Sequence, residues 1–360
     1  VNIIKLFIKT DNKLILFVSY GGKQYSDSPK VIYEAMCQDP RFKNFDFVWA
    51  FQNPSAFDVP GRAKVIKIDT LKYFIISLKA RCWITNVVVE RTLNYSGKNT
   101  FYFCTWHGTP IKTLGSDIKI KTFYNHFRYK FDILLAQGPY DVEIFKRAFK
   151  LTEENIKLFG LPRNDFLMLA TDKEQMKIKV KLGIPREKKV ILYAPTYRDN
   201  HGYVMDKVLN FKKWYEILGD DYVILFRAHS AVNKLININL NFDFIYDVTN
   251  YPDLNELMIV SDMLISDYSS IFFDYSILGK PMFCYAYDYE EYNASRGLYF
   301  DIRKELLGGS LSEDELLYLI KNIDTKEAIE KTVRFRDKFI SEYGNATRKS
   351  IDFIYKKLTE

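Results

Sequence analysis

Short apolar runs alternate with helical segments along almost the whole chain, and this alternation limits the fold more than any other feature. Runs at 13–19, 45–50, 63–68, 82–85, 101–105, 133–137 and 155–160 read as strands. A second series falls at 189–194, 222–228, 242–246, 263–265 and 282–285. Helical segments lie between them, among them one from Pro29 to Met36 with Ser28 as its cap, one at 71–80 and one after Pro139. A parallel return needs a crossover, so the alternation predicts an α/β fold with mostly parallel sheets. Two such series in 360 residues exceed one ordinary domain and predict two Rossmann-like halves. The expected division is 1–175 and 176–335 with a helical tail at 336–360, the Lys-rich stretch 172–189 being the crossing.

Composition narrows the function classes. Hydrophobic residues make up 48% of the chain, with 28 Phe and 26 Tyr, so no part reads as disordered. Lys and Arg outnumber Asp and Glu by 52 to 45, a net charge of +7. That excess fits a nucleotide, a polyphosphate or acidic lipid, and is too mild to imply nucleic acid. Cys37, Cys82, Cys104 and Cys284 are scattered without a CxxC pair. A zinc ribbon or redox dithiol is thereby unsupported, and reduced thiols in a cytosolic protein are expected. No apolar run reaches membrane-spanning length and no signal peptide is read. The first residue is Val rather than Met, which leaves an upstream segment open.

The chemistry gathers at strand ends. After the strand at 263–265 the chain turns through Ser266-Asp267-Tyr268-Ser269-Ser270, and an apolar helix runs to Leu278 before Gly279 and Pro281 end it. Hydroxyls and unpaired N–H groups at a helix start, just past a strand, are where open α/β sheets take phosphorylated ligands. Ser and Asp are also simply good N-caps, so both readings stand. Arg198 follows the strand at 189–194, and Arg227 and His229 follow the next, which brings them to the same edge of a parallel sheet. Arginine forks match phosphate oxygens. His107, in Trp106-His107-Gly108-Thr109-Pro110, stands at the end of the strand at 101–105. It is either a base near neutral pH or a histidine bonded within a turn. His126 and His201 are given no role. The stretch 111–130 interleaves basic and bulky apolar residues, as a membrane-facing segment or a solvated helix on the core would. No Asp-x-Asp cluster points to a metal, so no metal or other cofactor is expected, and protein cations would neutralise a phosphate.

Seven motifs follow one another in a family-specific order. They are Gly22-Lys23-Gln24-Tyr25-Ser26-Asp27-Ser28-Pro29; Trp106 to Pro110 with Lys112; Gly160-Leu161-Pro162-Arg163-Asn164-Asp165; Ala194-Pro195-Thr196-Tyr197-Arg198-Asp199; Arg227-Ala228-His229; Ser266 to Ser270 through Asp274; and Arg296-Gly297-Leu298-Tyr299-Phe300-Asp301. In these the chain resembles the CDP-glycerol:poly(glycerophosphate) glycerophosphotransferases of teichoic-acid and capsule synthesis. The resemblance implies a glycosyltransferase B type fold, two Rossmann-like domains facing a central cleft. It also implies a CDP-polyol donor, glycerol or ribitol, a lipid-linked or polymeric acceptor, CMP release, and peripheral attachment to the cytoplasmic membrane face. Two essential histidines match His107 and His229. On this reading His107 takes the acceptor's proton from the N-terminal side, while His229, Arg227, Ser269 and Ser270 hold the diphosphate. Asp267 orders their loop and Arg198 is a further phosphate ligand. Tyr251, Pro252 and Asp253, at the start of a capping box, would meet the cytidine, and Gly108, Thr109 and Lys112 would lie on the acceptor side. Leu307-Gly308-Gly309 departs from the family's Gly-Pro pair, and the extra N-terminal domain frequent in its polymerases is not in this sequence. The alternatives are a sugar-nucleotide glycosyltransferase of the same fold and a non-catalytic, membrane-bound subunit that binds anionic polymer.

Overall fold

Seven strands build the first sheet: β1 (Asp11–Val18), β2 (Asp46–Phe51), β3 (Lys64–Lys67), β4 (Ala80–Thr85), β5 (Phe101–Cys104), β6 (Ile133–Ala136) and β7 (Ile156–Leu158). Their order is β3-β2-β1-β4-β5-β6-β7, and every pairing is parallel. Six more build the second: β8 (Lys189–Tyr193), β9 (Tyr222–Phe226), β10 (Ile245–Asp247), β11 (Met263–Ser266), β12 (Met282–Tyr285) and β13 (Leu307–Ser310). They lie in the order β10-β9-β8-β11-β12-β13, again all parallel. This computed structural model describes residues 8–89, 97, 99–119, 129–196, 198, 209–228, 243–310 and 312–360. A parallel sheet with helices on its faces is buried on both sides, which is why Leu14 to Val18 and Phe47 to Phe51 are apolar without alternation and lie buried. Among the described residues no helix is long and apolar enough to cross a membrane.

Each sheet reverses direction once. In the first, successive strands run outward from β1 to β3, and β4 returns to the other side of β1. In the second the same reversal separates β8 from β11. Loops leaving adjacent strands diverge at such a switch point and leave a crevice, so ligands of open α/β sheets bind there.

The chain divides into two compact units, Val1–Thr109 with Leu114–Asp165 and Ile340–Glu360, and Pro110–Thr113 with Phe166–Phe339. The boundary therefore differs from the expected 175/176. Helix Asp172–Leu182 belongs to the second unit, where the Gln175 amide donates to the Val260 carbonyl and the Asp262 carboxylate. Its many lysines concealed a packed face from a reading by charge. The last helix, Ala346–Thr359, is not a separate tail: Ile351 and Ile354 are buried in the same core as Phe17, Tyr33 and Trp49. Its first turn is fastened by the Asp165 carboxylate, which accepts the N–H groups of Ala346 and Thr347 at 2.9 and 2.7 Å. Strand β13 went unread because Gly308 and Gly309 have poor strand propensity; both carry positive φ, and the pairing with β12 shifts register beside them.

Candidate functional site

In the first unit His107 stands beyond β5, next to the switch point between β1 and β4. Its Nδ1 lies 2.8 Å from the Asn86 carbonyl oxygen. A carbonyl only accepts, so Nδ1 carries the proton in the neutral ring and Nε2 presents its lone pair. Burial pulls the imidazole pKa below its ordinary value, against the Asn86 hydrogen bond and the Asp27 charge, while Arg163 pulls the same way as burial. The ring is therefore neutral at neutral pH, with Nε2 unprotonated. Trp106, tilted against it with ring centres 4.3 Å apart, holds a left-handed φ of 57°. Gly108 follows at φ 142° and is buried.

Several side chains that the sequence reading left without a role surround this histidine. Tyr20 comes from the turn after β1, Asp27 from the first position of helix Asp27–Gln38, Asn86 from the end of β4, and Arg163 from the turn after β7. Arg163 Nη1 donates to Asp27 Oδ2 at 2.6 Å with both side chains nearly enclosed, 11% and 4% exposed. Burial alone would push the Asp27 carboxyl up. Arg163, with hydrogen bonds from Tyr20 and the Ser28 N–H, outweighs it and holds the group below the usual carboxylate range. Asp27 and Arg163 lay inside quoted motifs, so a signal existed for them; none existed for Asn86. Ser28, expected as a cap, instead lies inside helix Asp27–Gln38, and its hydroxyl accepts the Arg163 N–H.

The acceptor-side residues fare unequally. The Thr109 hydroxyl is buried, donating to Asp141 Oδ2 and accepting from Gln137 Nε2, both at 3.1 Å. That commits it to holding the turn. Lys112 belongs to the other unit, pairing with Leu298 in an antiparallel bridge and lying over the Tyr292 ring. The stretch 111–130 lies outside the described residues at 120–128.

In the second unit the loops after β8 and β11 meet at the switch point. Asp267 Oδ1 accepts the N–H groups of Thr196 and Tyr268, at 2.9 and 2.7 Å, which joins the loops after β8 and β11. Arg198 differs from the expectation of a phosphate ligand. Its Nε and Nη2 donate to the two Asp288 oxygens at 2.6 and 2.9 Å, Nη2 also to Asp267 Oδ2 at 2.8 Å, and Nη1 to the Thr196 carbonyl at 2.5 Å. Tyr268, Tyr287 and Tyr292 enclose the guanidinium at 5.1, 5.5 and 4.8 Å. A cation buried this deeply requires paired charge and hydrogen bonds, and these partners make Arg198 a brace between two loops. Ser269 and Ser270 are half-buried, with Ser269 Oγ accepting the Ile271 N–H. The helix they open, Ile271–Ser276, is shorter than expected and gives way to a turn ending at Gly279 with φ 65°.

Arg227, at the end of β9, donates through Nη1 to the carbonyls of Val248 and Tyr251 at 3.1 and 2.8 Å, tying down the segment expected to meet the cytidine. Within that segment Asp253 caps helix Leu254–Val260 through the N–H groups of Asn255 and Glu256. The Tyr251 hydroxyl bonds Glu256, and Pro252 is exposed. His229 lies outside the described residues. Among the described residues no group of three or more His, Cys, Asp or Glu gathers as a metal site.

Comparison with known proteins places the fold in a family. The family model of CDP-glycerol:poly(glycerophosphate) glycerophosphotransferase matches residues 1–356. The chain belongs to this family. It is 38% identical over 378 residues to the teichoic acid poly(glycerol phosphate) polymerase of Staphylococcus epidermidis, covering 98% of this chain and 52% of the relative. Thus it spans about half the length of that polymerase. The teichoic acid glycerol-phosphate transferase of Staphylococcus aureus is 35% identical, covering 98% of this chain and 95% of the relative. The solved structure of the wall teichoic acid polymerase TagF superimposes with a TM-score of 0.88 at 37% identity, covering 97% of this chain and 90% of that one. A variant of TagF has also been solved after soaking with CDPG. The fold class is accordingly that of TagF, a glycosyltransferase B-like α/β fold.

Proposed function

We propose that this protein transfers glycerol phosphate from CDP-glycerol to the terminal hydroxyl of a lipid-linked or polymeric glycerol-phosphate acceptor, releasing CMP, in teichoic acid synthesis. The observation that carries the reading is His107 itself: a histidine in the family's motif, held by Nδ1 so that Nε2 is free to accept a proton. In the reaction the acceptor hydroxyl attacks the phosphorus that bears glycerol. Its O–H bond breaks as Nε2 takes the proton, a new P–O bond forms, and the P–O bond to CMP breaks. Ser269, Ser270, Arg227 and His229 would hold the diphosphate and offset the charge that develops on CMP. Arg198 and Asp267 serve as the frame of that loop, which their mutual ion pair supports. Tyr251 to Asp253 would border the cytidine. A lipid-linked acceptor places the enzyme peripherally at the cytoplasmic face of the membrane. The first unit is read as the acceptor side and the second as the donor side.

The test is CMP release from CDP-glycerol, CDP-ribitol and sugar nucleotides, with and without a glycerophosphate-primed lipid acceptor. Acceptor-dependent release from CDP-glycerol is expected. His107→Ala should lose turnover by about 100-fold or more while still binding CDP-glycerol, as the loss of a general base requires. Turnover of sugar nucleotides alone would replace this reading by the glycosyltransferase one, and polymer binding without turnover of any donor by the binding-subunit one.

A further inference from the structure

The groups around His107 form a closed circuit of hydrogen bonds. His107 Nδ1 donates to the Asn86 carbonyl at 2.8 Å. Asn86 Oδ1 accepts the Tyr20 N–H at 2.8 Å. The Tyr20 hydroxyl donates to Asp27 Oδ2 at 2.6 Å. Arg163 Nη1 donates to the same oxygen at 2.6 Å, and Arg163 Nη2 returns to the His107 carbonyl at 3.1 Å. The circuit draws on four separate segments of the first unit and meets His107 twice, at its ring and at its carbonyl.

Its backbone is strained where it meets the histidine. Five non-glycine residues have positive φ among the described ones, and three of them, Tyr20 at 45°, Asp27 at 64° and Trp106 at 57°, belong to or flank this circuit. Strained backbone persists only where surrounding structure over-determines it, and it clusters where a functional group must be held in one pose. A fold needing only an ion pair here would not require the pair to grasp the carbonyl of the histidine as well.

We propose that Asp27 and Arg163 are positioning residues for phosphate transfer: through this circuit they hold His107 in its reactive pose, and the Asp27 carboxylate stabilises the imidazolium formed when Nε2 takes the acceptor proton. This rests on the reading of His107 as the base. Among the described residues, the charged groups facing the imidazole are Asp27, the first residue of helix Asp27–Gln38, and Arg163, from the turn after β7; Tyr20, Asn86 and Trp106 lie beside it as neutral groups. Asp27 favours the protonated ring and Arg163 opposes it, so removing each moves the histidine's titration in opposite directions. A purely structural role would lower activity without moving it.

The experiment measures the pH dependence of kcat/KM with CDP-glycerol and a primed acceptor for Asp27→Asn, Arg163→Gln and His107→Ala, with CDP-glycerol affinity as the check that each variant is folded. Asp27→Asn should lower kcat by about 10–100-fold, less than the loss of the general base itself, and shift the ascending limb to lower pH. Arg163→Gln should lower kcat and shift that limb upward. Reduced activity with the limb unmoved in both variants overturns the proposal, as does activity unchanged in either. Where Asp27→Asn fails to bind CDP-glycerol, the Arg163→Gln limb decides alone: upward supports, unmoved overturns. If His107→Ala keeps turnover and its ascending limb, the base reading itself fails; if it is inactive while the other two leave the limb in place, only the present inference fails.

Discussion

Replacing Arg198 by Met tests whether this arginine braces the donor loops or grips phosphate. The side chain is 10% exposed and lies between Asp267 and Asp288, 3% and 17% exposed. Methionine preserves much of the volume but removes four donated hydrogen bonds and the positive charge that faces both acids. At about 1.5–3 kcal/mol for each bond to a charged group, simple addition gives roughly 6–12 kcal/mol. That sum is too large, because Asp267 keeps the N–H groups of Thr196 and Tyr268 and Asp288 keeps the Tyr268 hydroxyl. The cost of breaking a buried ion pair from one side, about 3–5 kcal/mol, is the better value. In a unit of this size it corresponds to a Tm lower by on the order of 10 °C. Arg198→Lys, with the charge but not the planar fork, should recover about half of it. Urea unfolding at unchanged m-value measures both variants. A loss below about 1 kcal/mol refutes the reasoning on which the estimate stands. Unchanged stability with CDP-glycerol affinity abolished would return Arg198 to the role of phosphate ligand.

Other outcomes follow from single sites. Because the Asp27 carboxyl is held below its ordinary range, its contribution to stability is complete above that range and is lost as pH falls through its folded value. Urea unfolding across acid pH should therefore show a flatter acid limb for Asp27→Asn than for wild type, and an unaltered limb would exclude the ion pair as a pH-dependent contributor. Gly160 has φ 83°, and an added Cβ would meet the Glu342 carbonyl oxygen at 2.5 Å, so Gly160→Ala should cost about 2–3 kcal/mol in thermal unfolding. Ser269→Ala and Ser270→Ala should each weaken CDP-glycerol binding roughly tenfold or more by calorimetry, the worth of a hydrogen bond to a charged group; unchanged affinity for both would move the diphosphate elsewhere.

The strands that carry the sites were legible because buried parallel strands write themselves as uninterrupted apolar runs, as in Ile191 to Tyr193 and Met263 to Ile265. Strand β13 was not, since its glycines serve an edge strand through backbone freedom that no pattern of hydrophobicity expresses. Helix Ala346–Thr359 showed its charges but not its partner. Its apolar face packs on residues some three hundred positions earlier, and a linear reading has no measure of that distance.

Residue type and spacing by themselves determined the two parallel α/β halves, the strand ends where chemistry gathers, and His107 as a candidate base. Those follow from local rules: periodicity, turn residues and the small set of side chains that titrate near neutral pH. Only the tertiary structure decided which charges remain available. It showed Arg198 bound to two carboxylates, Thr109 and Asp253 committed to their own turns, and Asp27, Arg163, Tyr20 and Asn86 brought round one histidine. A hydrogen bond depends on ångströms and angles between groups often far apart in the chain, so the partner of a polar side chain is a property of the folded state.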